Sequence, residues 1–353
     1  MSLNTLPASE VIARLDEFDT LIDVRSEDEF NADHLPGAVN WPTLNNDERN
    51  SIGTLYTQVN PFEARKRGAA IAARNIAAHI ERKVFDKPKA WKPLAYCWRG
   101  GQRSGALALI LDQVGFRVTL LKGGYKAFRA AVVQDIPRLV SSLDWRVLCG
   151  TTGSGKTRLL NALAAQGAQV IDLEALANHR SSVLGAIPGL AQPTQKRFDT
   201  LVWDTLRQFD CNRAVFIESE SKKVGDVAVP SALIDAMHNS ACLNLVLPDA
   251  ERVELLLEDY DFFVRDVESF CERLQVLAAF KGKALVEFWQ AQVRAGEIAS
   301  VVQALLTKHY DPTYLQSMQR NFRQFENAKM IAPEDHSTGA MSILAGKIIQ
   351  EML

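Results

Sequence analysis

Pro93-Leu94-Ala95-Tyr96-Cys97-Trp98-Arg99-Gly100-Gly101-Gln102-Arg103 reads as a short apolar strand that delivers one cysteine into a loop of two glycines and two arginines, and Ser104 then opens a helical pattern. Cys97 therefore stands where an anion-cradling nucleophile would stand. Backbone N–H groups of a glycine-rich loop can converge on the sulfur, and the positive end of the following helix lowers its pKa. Strand, loop and helix in this order form a building unit of an α/β sheet.

About fifty residues on, Gly150-Thr151-Thr152-Gly153-Ser154-Gly155-Lys156-Thr157 matches the P-loop pattern G-x-x-x-x-G-K-[ST] in full. A strand-like run, Asp144 to Cys149, precedes it, and a helical run, Arg158 to Ala165, follows. The glycines let consecutive N–H groups face phosphate oxygens, Lys156 supplies a point charge, and Thr157 can ligate Mg²⁺. Val170-Ile171-Asp172 and Ala214 to Glu218 read as further strands. The first runs into Asp172-Leu173-Glu174 and the second into Glu218-Ser219-Glu220-Ser221. Acids at the ends of adjacent strands suit metal or water contacts, or cap a helix. Leu243 to Leu247 supplies one more strand, and Pro248 to Arg252 opens a helix. The remainder has helical periodicity, with a break between helices at Tyr310-Asp311-Pro312-Thr313-Tyr314.

The 353 residues are 47% hydrophobic and 23% charged, with a formal net charge of −2, as in an ordinary soluble globular protein of two or three domains. No apolar run approaches the roughly 18 residues of a membrane span, and the polar N-terminus lacks the regions of a secretion signal, so a cytoplasmic location is expected. The five cysteines, at 97, 149, 211, 242 and 271, form no C-x-x-C pair, which argues against a disulfide framework or a zinc site. Those other than Cys97 read as buried, inert thiols.

Charge is uneven. From Pro61 to Lys92 there are nine Lys/Arg against three acids. Arg65, Lys66, Arg67, Arg74, Arg82 and Lys83 lie in the helical pattern Phe62 to Val84, where they either track a phosphate backbone or solvate a helix face. Gly68 in that pattern is a packing accommodation or a point of close ligand approach. Asn45-Asn46-Asp47-Glu48-Arg49 reads as a turn, and Val132 to Leu143 as a connector, because Asp135-Ile136-Pro137 should stop a helix.

Asp23-Val24-Arg25, Glu29-Phe30 and His34-Leu35-Pro36-Gly37-Ala38, followed after Cys97 by Leu121-Lys122-Gly123-Gly124-Tyr125-Lys126-Ala127-Phe128, resemble the ordered signatures of a rhodanese domain. Asp23, Arg25 and Glu29 then read as structural residues. The advance of six residues from Cys97 to Arg103 gives a C-x₅-R spacing. It is similar to that of rhodanese-like dual-specificity phosphatases, whose larger loop surrounds a tetrahedral phosphate.

The rhodanese pattern joined to a P-loop, with Asp172-Leu173-Glu174-Ala175-Leu176-Ala177-Asn178-His179-Arg180 and Glu218-Ser219-Glu220-Ser221, resembles the tRNA 2-selenouridine synthases. The fold this implies is α/β: a rhodanese-like α/β domain over 1–139 with a basic helical insertion at about 45–92, a P-loop NTPase-like parallel-sheet domain over 140–250, and a mainly helical region over 251–353.

The implied activity is conversion of wobble 2-thiouridine in tRNA to 2-selenouridine through S-geranyl-2-thiouridine. Selenophosphate would lie on Trp98, Arg99, Gly100, Gly101, Gln102 and Arg103, with Cys97 taking selenium as a perselenide. Geranyl diphosphate would place its diphosphate on Gly150 to Thr157. No tightly bound cofactor is expected, although Mg²⁺ on Thr157 is compatible with the motif. His179 and Arg180 are candidates for RNA or phosphate contact, or else helix-surface residues. Trp91, Tyr96 and Trp98 are candidates to stack a base, Trp91 and Tyr96 being equally candidates for the core. Two other activities remain open at this point: a P-loop kinase or ATPase with a regulatory rhodanese domain, and a general rhodanese sulfurtransferase.

Overall fold

The computed structural model describes residues 3–180, 185–187 and 189–352. Its contacts divide the chain into two units, Met1–Ile136 with Pro193–Asp204, and Pro137–Gln192 with Thr205–Leu353. The first unit takes the elements β1 (Asn4–Leu6), α1 (Ala8–Ala13), β2 (Thr20–Asp23), α2 (Glu27–Ala32), β3 (Val39–Asn40), α3 (Asn46–Gln58), α4 (Pro61–Lys83), β4 (Pro93–Tyr96), α5 (Gln102–Val114) and β5 (Thr119–Leu121), and most of α6 (Gly124–Ser141). Its sheet is parallel throughout, in the order β1-β5-β4-β2-β3. All four residues of the central strand, β4, are buried. Crossover helices cover such a sheet, so its strands read as short continuous apolar runs. The crevice at the carboxyl ends of its central strands is where Cys97 emerges.

Two local expectations in this unit are corrected. Asn45 to Arg49 is a helix start and not a turn. The Asn45 side chain accepts from the Glu48 N–H at 2.9 Å while Glu48 accepts from the Asn45 N–H at 3.0 Å, a capping box that begins the 13-residue α3. Val132 to Leu143 joins the two units as expected, but as helix and not after a helix stop, because α6 runs through Pro137 to Ser141. Phe128, Val132, Ile136 and Val140 recur every fourth residue and are all buried, which holds the helix together. Proline removes the donor to the carbonyl of residue 133 and crowds that carbonyl, and Val133 is itself exposed. Gly68 is a packing accommodation: a Cβ there would lie 3.4 Å from Ile52 of α3.

The second unit begins with β6 (Asp144–Cys149), α7 (Lys156–Ala165), β7 (Gln169–Ile171) and α8 (Leu173–Ala177). Next comes α9 (Gln195–Leu206), whose residues to Asp204 belong to the first unit. The second unit resumes with β8 (Ala214–Glu218), the hairpin β9 (Lys223–Val224) and β10 (Val227–Ala228), α10 (Ser231–Asn239), β11 (Ala241–Leu245) and α11 (Asp249–Asp259). Short helices follow, α12 (Asp261–Arg265), α13 (Val267–Leu274), α14 (Ala278–Lys281), α15 (Lys283–Arg294) and α16 (Ile298–Leu305). A π turn over Leu306–Tyr310 leads into α17 (Asp311–Asn321), and β12 (Lys329–Ile331) and α18 (Thr338–Met352) close the chain.

This sheet too is parallel, in the order β12-β11-β6-β8-β7. The region 251–353 is mainly helical, as expected, and adds one strand to this sheet. β12 pairs with β11, and Met341, Leu344, Ala345 and Ile348 of α18 join the core that Leu159, Leu160 and Leu163 of α7 help to build. The break expected at Tyr310–Tyr314 does not occur: the π turn ends at Tyr310 and passes directly into α17, which takes Pro312 in its first turn, where proline is tolerated. Among the described helices none is long and apolar enough to cross a membrane.

Candidate functional site

In the first unit the Cys97 sulfur is buried and accepts from the Gly101 N–H at 3.2 Å and from the Ser104 hydroxyl at 3.3 Å. Gly101 is the N-cap of α5, so the thiol faces the positive end of a 13-residue helix. Burial pushes the thiol up, but the Ser104 and Gly101 hydrogen bonds and the charge of Arg103 outweigh it, and the net effect holds Cys97 below its ordinary value. A second glycine turn underpins the loop. The Tyr125 and Lys126 N–H groups bind the carbonyls of Cys97 and Trp98 at 2.8 and 3.0 Å. Gly124, at φ +60°, leaves room for this: a Cβ there would sit 2.2 Å from the Cys97 carbonyl oxygen.

Arg103 bonds Glu29 at 3.0 Å, with both side chains about one-fifth exposed, so its guanidinium is held at the loop. Burial would raise the Glu29 carboxyl, but Arg103 overcomes that and lowers it. Arg25 lies fully buried on Asp23, with contacts of 2.6 and 3.0 Å, and packs 3.9 Å over the Tyr125 ring; both residues are structural here. Arg99 is exposed, and Trp98 is half-buried against Tyr125 with the Lys196 ammonium 5.7 Å from its ring. Arg49, Tyr56 and Arg103 line a separate recess on the α3 side of the loop.

The second unit carries the P-loop between β6 and α7. Here the charges turn inward: Lys156 Nζ donates to the Gly150 carbonyl at 2.8 Å, and the Gly150 N–H donates to the Tyr314 hydroxyl at 2.6 Å. Burial raises the Tyr314 phenol above its ordinary value. Gly155, at φ +88°, admits Met341, whose Cε would lie 2.5 Å from an added Cβ. Lys156, Thr157, Glu174, Arg180, Glu218 and Glu220 all line one large recess.

Glu218 is 3% exposed, and its Oε1 has no hydrogen-bond partner. Burial first, and then Glu174, Glu220 and Asp172, raise its carboxyl well above the ordinary range against the opposing pull of Lys156. One oxygen each from Glu174, Glu218 and Glu220 lies within 4.8 Å of the others. An orphaned buried oxygen among converging carboxylates fits a hard divalent cation such as Mg²⁺, which takes oxygen ligands, and Thr157 lines the same recess.

A family model described as the tRNA 2-selenouridine synthase AAA domain matches residues 143–283, and one described as a rhodanese-like domain matches residues 7–131. A tRNA 2-selenouridine synthase of Sulfurovum sp. (strain NBC37-1) is 31% identical over 336 residues, 85% of this chain and 89% of that one. Another, of Cupriavidus necator, is 32% identical over 341 residues, 86% of this chain and 89% of that one. The chain belongs to the tRNA 2-selenouridine synthase family. Among solved structures, the N-terminal domain of an ATP/GTP binding protein from Clostridium difficile 630 aligns at 30% identity over 37% of this chain and 98% of that one, with a TM-score of 0.31.

In this member of the tRNA 2-selenouridine synthase family, the sequence-predicted residues gather unequally. Cys97 to Gly101 form one loop, with Gln102 and Arg103 opening α5, and Thr152, Gly153, Gly155, Lys156 and Thr157 of the P-loop share a recess with Glu174, Arg180, Glu218 and Glu220. Asp172 caps α8 through the Ala175 N–H at 2.8 Å, with burial raising its carboxyl. His179 is buried in a bridge to Ala186, outside the recess wall.

The six basic residues of α4 are all exposed, but Lys66 and Arg67 pair with Glu63, and Arg74 with Glu48. Trp91 and Tyr96 are core residues that bind Thr20 and Leu35, leaving only Trp98 of the three candidates for base stacking. Cys211 is exposed, contrary to the expectation of a buried thiol; Cys149, Cys242 and Cys271 are buried. Ser104 and Tyr314 were not singled out from the sequence. Ser104 was visible as the first-turn hydroxyl after the loop, whereas Tyr314 reaches Gly150 across 164 residues, with no local signal.

Proposed function

We propose that this chain replaces the sulfur of wobble 2-thiouridine in tRNA with selenium, in two steps divided between its two anion sites. In the first, the 2-thio sulfur attacks C1 of geranyl diphosphate. The C–S bond forms as the C–O bond breaks, and diphosphate leaves onto the P-loop. Lys156 and the loop amides meet the departing charge, and an allylic carbon ionises readily once that charge is stabilised. A divalent cation held by Glu174, Glu218, Glu220 and Thr157 would neutralise the same leaving group. In the second step, selenophosphate enters the Cys97 loop, where the amides and Arg99 suit a tetrahedral anion. Selenium becomes bonded to C2 as the C2–S bond breaks. Geranylthiol and phosphate depart, with one water consumed.

The observation that carries this reading is family membership spanning both units, each of which ends its central strand in a glycine-rich loop that leads into a helix. The first of these loops holds a thiol at lowered pKa, which suits chemistry on a selenium donor. The exposed basic residues of α4 and the half-exposed Trp98 are the proposed tRNA-facing groups.

The test is nucleoside mass spectrometry of a 2-thiouridine tRNA incubated with geranyl diphosphate, selenophosphate, or both. S-geranyl-2-thiouridine is expected with the first alone and 2-selenouridine only with both. Hydrolysis of ATP at enzymatic rates, dependent on Lys156 and without alkylation of RNA, would favour a P-loop kinase or ATPase instead. Sulfur transfer with no tRNA requirement would favour a general sulfurtransferase.

A further inference from the structure

In the second unit, α11, α12, α13, α16 and the π turn line a half-open apolar cavity. Among the described residues no charged side chain lines it; the polar lining residues are Thr152, Tyr260 and Tyr310, and the rest of the wall is leucine, valine, isoleucine and phenylalanine. Protein interiors are close-packed, and a chain that could bury these side chains against one another would do so. Instead Leu256, Leu257, Ile298 and Val302 are only partly buried, and Val264 is 40% exposed. Water gains little in such a space, since it finds two to four polar partners only in polar sites. The cavity suits hydrocarbon. It offers no set of donors and acceptors for the edge of a nucleobase.

Its position narrows the occupant further. Thr152, Leu256, Tyr260 and Tyr310 line both this cavity and the recess of Lys156 and Thr157. Thr152 is a P-loop residue, and Arg252 of α11 clamps it there by donating to its carbonyl at 2.8 and 3.0 Å while pairing with Asp311 at 2.6 Å. Gly153 brings α11 directly against the loop, since a Cβ there would meet Leu256 at 3.0 Å. One end of a ligand on this wall faces N–H groups and an ammonium, and the other faces only apolar surface. The π turn that walls the cavity is an element frequent at functional sites.

We infer that this cavity holds the hydrocarbon chain of the diphosphate whose head occupies the P-loop, and that Val264 and Val302 on its wall set the chain length accepted. The inference rests on the reading of the P-loop as a diphosphate cradle and adds the seat of the tail. Both valines are partly exposed, so enlarging either fills the cavity without breaking a closed core.

The test is calorimetric binding of inorganic pyrophosphate, n-pentyl diphosphate and n-decyl diphosphate, the last below its micellar concentration, to the full chain and to Val264→Trp, Val302→Trp and Lys156→Ala. Affinity is expected to rise with chain length, decyl diphosphate binding on the order of 100-fold tighter than pyrophosphate. Each Trp variant should remove at least about ten-fold of that gain while binding pyrophosphate as the wild type does, which also reports that it is folded. Lys156→Ala should weaken all three ligands. Decyl diphosphate binding no tighter than pyrophosphate, a gain that survives both Trp variants, or alkyl diphosphate binding indifferent to Lys156 would each overturn the inference. If the gain behaves as expected but geranyl diphosphate does not alkylate 2-thiouridine tRNA, the proposed first step fails and the seat of the tail stands.

Discussion

The Cys97 loop and the P-loop occupy equivalent places in two five-stranded parallel sheets, each following the central strand and preceding a helix. They differ in what their donors point at. Around Cys97 the amide of Gly101 and the hydroxyl of Ser104 already serve the sulfur, which belongs to the loop itself. In the P-loop the lysine bonds the loop's own carbonyl and a tyrosine takes one of its amides. A nucleophile must be held ready before its substrate arrives, and a cradle for a leaving group gains its partners only with the ligand. On the proposed function, the contrast separates a loop that does chemistry from a loop that receives charge.

Exchanging the central residue of each loop should break the contrast most sharply. Cys97→Ser is expected to lower selenium incorporation by at least about a thousand-fold while S-geranyl-2-thiouridine still forms, as read by nucleoside mass spectrometry. Lys156→Ala should do the reverse. Geranylation falls on the order of a hundred-fold, and selenium transfer to RNA already geranylated is unchanged; loss of both steps in either variant would mean that the two loops serve one reaction.

Gly124→Ala places a Cβ against the Cys97 carbonyl at positive φ and should destabilise the first unit by about 3 kcal/mol, measured by denaturant unfolding. Ser104→Ala removes a donor that holds Cys97 low. Because the thiolate is the reactive form, the rate of the selenium step should then require higher pH, its pH profile moving to the alkaline side, whereas the profile for geranylation stays in place. The smallest effect is expected of Tyr314→Phe, which frees the Gly150 N–H for phosphate and should tighten pyrophosphate binding by roughly three-fold.

Both loops were legible in the sequence because their chemistry is local: glycines, a cysteine or lysine, and a strand and helix on either side within a dozen residues. What surrounds them was less so. Asn45 to Arg49 is polar enough to pass for a turn, and only the reciprocal Asn45–Glu48 bonds reveal a helix start. Pro137 is a valid stop signal that four buried residues at helical spacing override. β1 and β12 have three residues each, too few to show a period, and owe their existence to partners more than 80 residues away. Tyr314, Arg252 and the apolar cavity depend on contacts between distant helices, which no spacing in the chain announces.

Pro193–Asp204 returns to the first unit after the chain has already built two strands of the second. Thr200 supplies a donor at 3.0 Å to the buried Asp33 carboxylate, and Trp203 packs edge-on against Phe128. During synthesis, the cysteine-bearing unit therefore cannot finish its core until about residue 204 has left the ribosome, by which time the P-loop strand and its helix are also outside. A fragment cut at Ile136 would retain Cys97 and every rhodanese-like signature, yet leave a buried carboxylate short of a partner and a tryptophan-sized gap beside Phe128. A single cut in the gene cannot divide the two units.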